Sequence, residues 1–331
     1  MSLTVSIALC TYNGERFLQE QLDSLVSQSR LPDEVVVSDD GSMDETMAIL
    51  ESWAKGVPFP VWVEQNAKNY GFARNFENTM RRCTGDVIFP CDQDDVWYPE
   101  KLEKMASVLE NDLHVGLVFC NATFINEKGE ELPGTLETDV RDWLRYGMPR
   151  FVSIQDTRKN PINTGCCAAV RRDWLPHLFP IPEGWYHDMW FYTLMPSLAR
   201  TRTLQEPLIA HRLHGNNFSH QGEEWFEEGK AHGFRGATHL YQQYRPRMEQ
   251  LRERLKTFPD SPLKAYHLRF LDRMEKHFAA RLAIQSDFGK HFFLWLREIV
   301  MLRYFHGIQP IHSLLFDMKE GLTAKGETPD Q

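Results

Sequence analysis

The sequence lacks any apolar run long enough to cross a membrane, because no stretch of the 331 residues approaches the ~18 uninterrupted apolar residues of a transmembrane helix. Basic residues are in the minority, with 37 Lys and Arg against 46 Asp and Glu and a net charge of −9. That balance argues against a dedicated nucleic-acid binder, which needs a basic face. The first residues also lack the basic flank of a signal peptide. We therefore expect a cytoplasmic globular protein that binds no nucleic acid.

Cysteine pairs with zinc spacing and glycine-rich phosphate loops are both missing. The six cysteines form no CxxC pair, and Cys166 and Cys167 are adjacent, which is poor geometry for a structural disulfide. We expect reduced thiols that pack in the core. The chain has neither GxGxxG nor GxxxxGK[ST], which excludes the dinucleotide fingerprint and the P-loop.

Residues 1–120 alternate between short apolar runs and amphipathic stretches. This alternation predicts an α/β fold, a mostly parallel sheet with helices on both faces. A capping box at 42–45 predicts a helix that begins at Ser42, and Pro99 is expected to open a later one. The predicted strands are 5–10, 35–37, 61–63, 87–89 and 115–120.

Polar residues follow several of these strands directly. In open α/β sheets, ligands bind outside the carboxyl ends of the strands, so these residues are the candidates for a binding site. They are Thr11, Asn13, Asp39, Asp40, Asp92, Asp94 and Asp95.

The acidic run 92–95 (Asp-Gln-Asp-Asp) follows a buried strand. Three carboxylates so close repel one another unless a cation lies among them, and Mg²⁺ and Mn²⁺ favour such ligands. The alternative is a solvated loop in which Asp94 or Asp95 caps the next helix. Asp39 and Asp40 have two interpretations as well: a contact to a ribose or base, or a turn capped by Ser42.

Five motifs follow one another in the first 97 residues: Ala8-Leu9-Cys10-Thr11-Tyr12-Asn13-Gly14, Val37-Ser38-Asp39-Asp40-Gly41-Ser42 with Asp44, Asn69-Tyr70-Gly71-Phe72-Ala73-Arg74-Asn75-Phe76, Gly85-Asp86, and Asp92-Gln93-Asp94-Asp95 with Trp97. Together they resemble family 2 inverting glycosyltransferases with the GT-A fold, most closely the rhamnosyltransferase-like members of bacterial surface-polysaccharide synthesis. The resemblance implies a GT-A domain over 1–220, with a nucleotide-binding half at 1–120 and an acceptor-binding half at 121–220, and a helical region at 221–331.

For the donor side, the resemblance implies a nucleoside-diphosphate sugar, UDP- or TDP-linked, and a Mn²⁺ or Mg²⁺ ion. Asp94 would ligate the ion, and His214 would be a further ligand or a diphosphate contact. Arg212 and His214 match an Arg-x-His-x-x-Asn element ending at Asn217, before which the family usually has Tyr and this chain has His211. The implied donor-binding residues are Thr11, Asn13, Asp39, Asp40, Arg74, Asp92 and Arg212.

For the acceptor side, the resemblance implies that Asp188 is the catalytic base and that the stretch around Gly165 floors the acceptor site. His187 would tune Asp188 and contact the acceptor, or would simply pack among aromatic neighbours. Trp185 would stack on an acceptor sugar or belong to the core. The Gln-x-x-Arg-Trp signature of processive synthases is absent, which favours addition of single sugars.

The expected function is therefore metal-dependent, inverting transfer of one sugar, rhamnose being one option, to a glycan or lipid-linked saccharide. A catalytically inert, nucleotide-binding partner subunit is the alternative. A nucleotidyltransferase would need a glycine-rich triphosphate loop after the first strand, which residues 11–14 do not provide.

Residues 290–306 form an amphipathic, partly cationic segment. A lipid-linked acceptor would make peripheral contact with the inner face of the membrane useful. Packing on the catalytic domain or on a second copy in a homodimer gives the same pattern, so these alternatives stay open.

Overall fold

The structure is a computed structural model that describes residues 2–136, 165–215 and 237–300. These residues fall into two compact units, which are considered separately. The first comprises 2–136 and 165–215, and the second comprises 237–300. The domain boundary at 220 stays a prediction, and Asn217 lies outside the described residues.

The first half of the sheet is parallel, as the alternating sequence predicts. Its spatial order is β3 (Val61–Gln65), β2 (Glu34–Asp39), β1 (Val5–Thr11) and β4 (Val87–Cys91). β1 lies in the centre and pairs with β2 and with β4. All seven of its residues are buried, as expected for a strand covered on both faces.

The second half of the sheet is mixed. β8 (Ala168–Arg171) joins β4 to β6 (Val115–Ile125) and is antiparallel to both. β9 (Arg200–Arg212) is parallel to β6 and antiparallel to the short β5 (Val96–Trp97), which lies at the end of the strand order. β7 (Glu131–Leu136) pairs with β6. β6 continues to Ile125, five residues beyond the predicted end of that strand.

Helices cover both faces of the sheet. Alternate residues of the central strands, such as Ile7 and Leu9, share one apolar cluster with Leu18, Leu50 and Leu102. Those three leucines belong to α1 (Glu15–Val26), α2 (Thr46–Ala54) and α4 (Lys101–Asn111). On the other face, Cys10 of β1 meets Thr79 of α3 (Phe72–Arg82) at 3.2 Å. All six cysteines lie in the described ranges, are buried and form no disulfide, which confirms the expectation of reduced thiols in the core.

Two helices begin later than the sequence predicts. The Ser42 capping box was wrong: α2 begins at Thr46 without a side-chain cap, and the Ser42 hydroxyl donates instead to Asp39. A short-range rule misses this because the competing acceptor belongs to the preceding strand. Similarly, α4 begins at Lys101, two residues after Pro99.

A 3₁₀ turn (Gly165–Cys167), α5 (Leu175–Leu178) and α6 (His187–Leu194) complete the first unit. The second unit consists of α7 (Ala237–Lys256), α8 (Pro262–Ser286) and α9 (Phe288–Val300). Within the described ranges, no helix has the length and apolarity needed to span a membrane. α9 exposes Phe292, Phe293 and Leu296; membrane contact through 290–306 and a homodimer both stay predictions, and 301–306 lie outside the described residues.

Candidate active site

The turn after β2 is fixed from inside by Asp39, whose side chain is fully buried. One carboxylate oxygen accepts hydrogen bonds from the hydroxyls of Thr11 (2.8 Å) and Ser42 (2.5 Å). The other accepts from the backbone N–H groups of Gly41 (3.1 Å) and Ser42 (2.8 Å), and from the amide of Gln65 (3.1 Å). Thr11 and Asp39, predicted to bind the donor, therefore also hold the strand ends together.

The turn after β1 is locked to the same segment. Asn13 has a φ of 47°, in the left-handed region that Asn tolerates better than most residues. Its side-chain oxygen accepts from the N–H of Met43 (3.0 Å), and its own N–H donates to the Ser42 hydroxyl (2.7 Å). The two turns therefore form one rigid polar edge.

Asp40 connects this edge to the segment before α3. Its carboxylate accepts from the Asn66 amide and from the N–H groups of Tyr70 and Gly71, each at 2.8 Å. Arg74, in the first turn of α3, pairs with Glu77 at 3.2 Å and leaves about half of its side chain exposed (52%). Of the predicted donor residues on this side, Arg74 is the one with the most accessible charge.

The two predicted metal ligands meet, although 120 residues separate them in the sequence. Asp94 Oδ2 lies 2.9 Å from His214 Nε2. The imidazole of His214 also packs against Phe17, with ring centroids 4.8 Å apart. Asp94 follows β4 and His214 follows β9, so the antiparallel β5–β9 pairing brings the two loops together.

Asp92 adds a third carboxyl group to this region. Burial, and then the negative charges of Asp94 and Asp95, raise its pKa well above the usual range. A divalent cation would stabilise the ionised form of such a cluster. The carboxylate of Asp94 and the imidazole of His214 fit Mn²⁺, and the carboxylate also suits Mg²⁺.

Asp95 and the end of β9 form a buried clamp under the loop. Asp95 Oδ1 lies 2.8 Å from His211 Nδ1 and accepts from the N–H of Arg212 at 3.0 Å. Burial favours the neutral forms of Asp95 and His211, but their mutual attraction lowers the pKa of the carboxyl and raises that of the imidazole. Asp95 thus serves neither as a helix cap nor as a solvated group.

Arg212, predicted to bind the donor, has a fully buried side chain, and its role in donor binding stays a prediction. Its guanidinium donates to the Asp94 carbonyl (2.8 Å), the Asn126 carbonyl (3.2 Å) and the Glu20 carboxylate (2.7 Å). These partners lie inside the protein, so the Arg212 guanidinium supports the backbone of residues 92–95, called the metal loop below.

A second group with metal-binding atoms lies below the loop. Atoms of Asp95, Cys166 and His211 lie within 4.8 Å of one another. Asp95 and His211 already form the clamp with each other, and the carboxylate and thiol are fully buried. An ion held by this buried group would not reach the phosphates of a donor. The predicted ligands of the donor's ion are therefore still Asp94 and His214.

Asp188, the predicted base, lies in the first turn of α6. Burial raises the pKa of its carboxyl to about 6, and the backbone N–H groups of Met189, Asp188 and Gly165 oppose that rise. Gly165 can lie this close to α6 because it has no side chain. A Cβ at position 165 would lie 2.1 Å from His187 Nε2. Gly165 and Asp188 therefore lie close together, and their roles as acceptor floor and base stay predictions.

His187 and Trp185, predicted either to contact the acceptor or to pack, both have buried side chains, as the packing alternative expects; an acceptor contact stays a prediction. His187 stacks on Phe76 with ring centroids 4.0 Å apart, and neither ring nitrogen has a hydrogen-bond partner among the described residues. Burial lowers its pKa to about 3, so the ring is neutral. Trp185 packs edge-on against Trp190. Tyr186 between them is exposed.

Two supporting residues were missed at the sequence level. Gln93, inside the acidic run, pairs through its amide with the backbone of Tyr12 (2.8 and 3.1 Å). Its position between two strand-end aspartates was the signal that could have found it. Glu20, the partner of Arg212, lies on α1 and carries no local signal, because nothing near it in sequence marks it as different from other helix-surface glutamates.

Comparison with known proteins identifies a family and several relatives. The model of the glycosyl transferase family 2 matches residues 6–179. An uncharacterised glycosyltransferase of Nostoc sp. is 27% identical over 224 residues, which cover 65% of this chain and 66% of that protein. The amylovoran biosynthesis glycosyltransferase AmsE of Erwinia amylovora is 29% identical over 171 residues, 51% of this chain and 60% of its own. The chain therefore spans about two thirds of these relatives or less.

Solved structures share the fold. TarS 1–349 of S. aureus in complex with UDP-GlcNAc has a TM-score of 0.55 at 18% identity, covering 83% of this chain and 73% of that one. The mannosyltransferase PcManGT from Pyrobaculum calidifontis, in complex with GDP-Man and Mn²⁺, has a TM-score of 0.55 at 18% identity, covering 98% and 81%. These likenesses confirm the GT-A fold.

Proposed function

This chain belongs to glycosyl transferase family 2, and on that premise we propose that it transfers a single sugar from a nucleoside-diphosphate sugar, with inversion at the anomeric carbon. The observation that carries the proposal is the contact between Asp94 and His214 at 2.9 Å, at the carboxyl end of the parallel strands. A metal-binding pair at this edge, with a separate carboxyl group at Asp188, matches the needs of such a transfer.

On the donor side, Asp94 and His214 would hold Mn²⁺ or Mg²⁺, with Asp92 close by. The ion supplies positive charge to the leaving diphosphate, which then departs without a proton donor. An imidazole ligand beside a carboxylate favours Mn²⁺ over the harder Mg²⁺. The turns at 11–13 and 39–40 and the exposed guanidinium of Arg74 would contact the nucleotide.

On the acceptor side, Asp188 would act as the general base. Its carboxylate takes the proton of an acceptor hydroxyl while that oxygen bonds to the anomeric carbon. The bond from this carbon to the diphosphate oxygen breaks, and the nucleoside diphosphate leaves with the electron pair. A pKa of about 6 suits this role, because the group is ionised at neutral pH and still basic enough to accept a proton.

The acceptor is proposed to be a glycan or lipid-linked saccharide, in keeping with a relative that acts in amylovoran biosynthesis. UDP or TDP is the proposed carrier and rhamnose one option for the sugar. The fold relatives were solved with UDP-GlcNAc and with GDP-Man, so a test has to include several bases.

Thermal unfolding with UDP, TDP, GDP and CMP, each with and without Mn²⁺, tests the donor site. One nucleotide should stabilise the wild type in a Mn²⁺-dependent way, by about 2.7 kcal/mol at ~100 times its Kd. Asp94→Ala should lose this stabilisation. The control Asp173→Ala, which removes an exposed carboxylate, should keep it. Failure of every nucleotide to shift the wild type would contradict the proposal, whereas stabilisation by a nucleotide without any sugar transfer would favour the inert, nucleotide-binding alternative.

A further inference from the structure

Gln93 makes a two-point contact between the metal loop and the turn after β1. Its side-chain oxygen accepts from the N–H of Tyr12 at 2.8 Å, and its side-chain nitrogen donates to the Tyr12 carbonyl at 3.1 Å. One planar amide thus pairs with both backbone groups of one residue, as a neighbouring strand would. A shift of either segment relative to the other breaks both hydrogen bonds at once.

The space around Gln93 is closed on the side of the turn. A Cβ on Gly14 would lie 2.3 Å from the Gln93 side-chain oxygen and 2.6 Å from its amide carbon. The absence of a side chain at position 14 therefore allows the contact. Gly14 also donates its N–H to Thr46 at 2.8 Å, which ties this turn to the segment that holds Asp39.

The metal loop is anchored on its other side by the clamp at the end of β9. Asp95 accepts from the N–H of Arg212, and the Arg212 guanidinium donates to the Asp94 carbonyl at 2.8 Å. Asp94 itself contacts His214, which lies two residues after Arg212 in the sequence. A cation held by Asp94 and His214 would therefore restrain the loop whose next contact is Gln93 with Tyr12.

We propose that Gln93 is a positioning residue that couples the nucleoside-binding turn at 12–14 to the metal loop at 92–95. Through it, binding of a nucleoside and of a divalent cation strengthen each other even when no phosphate bridges them. This inference rests on the proposed function, because it takes Asp94 and His214 as the cation ligands and the turn as part of the nucleotide site.

A nucleoside without phosphates is the probe that isolates this coupling. A diphosphate would touch the cation directly, whereas uridine, thymidine, guanosine or cytidine can affect cation binding only through the protein. Reciprocity requires that the nucleoside tighten Mn²⁺ binding by the same factor by which Mn²⁺ tightens nucleoside binding. Both factors can be measured by calorimetric titration of the full chain.

In the wild type, the nucleoside that binds should tighten Mn²⁺ binding by about fivefold, the low end of typical coupling between sites. Gln93→Met keeps an unbranched side chain of similar length beside Gly14 but removes both hydrogen bonds, so the factor should fall to one while Mn²⁺ and the nucleoside each still bind. Gln19→Met is the matched control, since the Gln19 amide donates within its own helix, to Asp23 at 2.8 Å.

A factor that stays unchanged in Gln93→Met would overturn the inference. So would a wild type that binds Mn²⁺ and a nucleoside independently, and in that case the Mn²⁺-dependent binding of the nucleoside diphosphate would still support the proposed function. A wild type that binds neither nucleoside diphosphate nor Mn²⁺ would instead refute the proposed function, and the inference with it.

Discussion

The donor side of the candidate site and the Asp188 side satisfy their polar groups in opposite ways. On the donor side, Asp39 and Asp40 accept hydrogen bonds from hydroxyls, amides and backbone N–H groups of three loops. On the Asp188 side, His187 is buried among phenylalanine rings with both nitrogens unpaired in the described part of the chain. One region is held by a polar network and the other by apolar packing.

The difference teaches how one fold can prepare two kinds of carboxyl group. A hydrogen-bond network fixes the geometry of Asp39 and Asp40, as a binding edge requires. Burial of the Asp188 carboxyl raises its pKa to about 6, as a proton acceptor at neutral pH requires. Each of the following substitutions changes one of these environments.

The largest expected effect is that of Asp188→Asn. Loss of general-base catalysis should lower kcat by ~10²–10⁴-fold, while nucleotide binding on the polar side stays unchanged. Steady-state kinetics and nucleotide titration would measure the two quantities. If affinity for the nucleotide fell together with kcat, Asp188 would belong to the donor side and the comparison would fail.

The wild-type pH profile provides the control for this variant. Protonation of Asp188 should reduce activity below a pH of about 6, by tenfold for each further pH unit. The residual activity of Asp188→Asn should lack this acid limb, and Asp173→Asn, at an exposed position, should retain it.

Gly165→Ala should disturb the apolar side alone. The new Cβ would lie 2.1 Å from His187 Nε2, so the ring or the turn must move, and overpacking of this kind costs about 1–3 kcal/mol in the free energy of unfolding. Activity should fall as well, because the Gly165 N–H moves away from Asp188. Urea unfolding and kcat are the measurements.

The matched substitution is Gly56→Ala, where the nearest atom to the new Cβ is a carbonyl oxygen at an ordinary 3.7 Å. We expect no comparable loss of stability there. Wild-type stability in Gly165→Ala would mean that the packing around His187 is loose, which would contradict the account of Asp188.

At neutral pH the smallest effect is that of His187→Phe, whose consequence appears in the dependence of stability on pH. Burial lowers the pKa of His187 from 6.5 to about 3. Between these values the unfolded chain binds a proton that the folded chain does not, so stability falls as the pH falls, by about 1.4 kcal/mol per pH unit. Phe cannot bind that proton, and the variant should lose this part of the slope.

Urea unfolding at several pH values between 7 and 4 would measure the slope of each protein. His114→Phe, at an exposed position, should keep the wild-type slope. Identical slopes for the wild type and His187→Phe would show that His187 is hydrated in the folded protein. The Asp188 side would then not be held by apolar packing, and the comparison with the donor side would fail.

Sequence patterns predicted the parts of the site that depend on neighbouring residues. Strand direction and the position of a polar run after a buried strand locate Asp39, Asp40, Asp92 and Asp94 at one edge, since both features are set within a few residues. The resemblance to known motifs added Asp188 and His214. It did not reveal the contact of Gln93 with Tyr12 or the burial of Arg212, because both depend on loops distant in sequence.

The sequence by itself determined the alternation of strands and helices, the buried thiols and the row of acidic residues at the strand ends, because side-chain period and turn chemistry are local. Only the tertiary structure decided that Asp94 meets His214, that Arg212 serves the loop from below, and that His187 packs against Phe76. The physical reason is that a polar group's partner and its exposure to water are fixed by whichever segment packs on it.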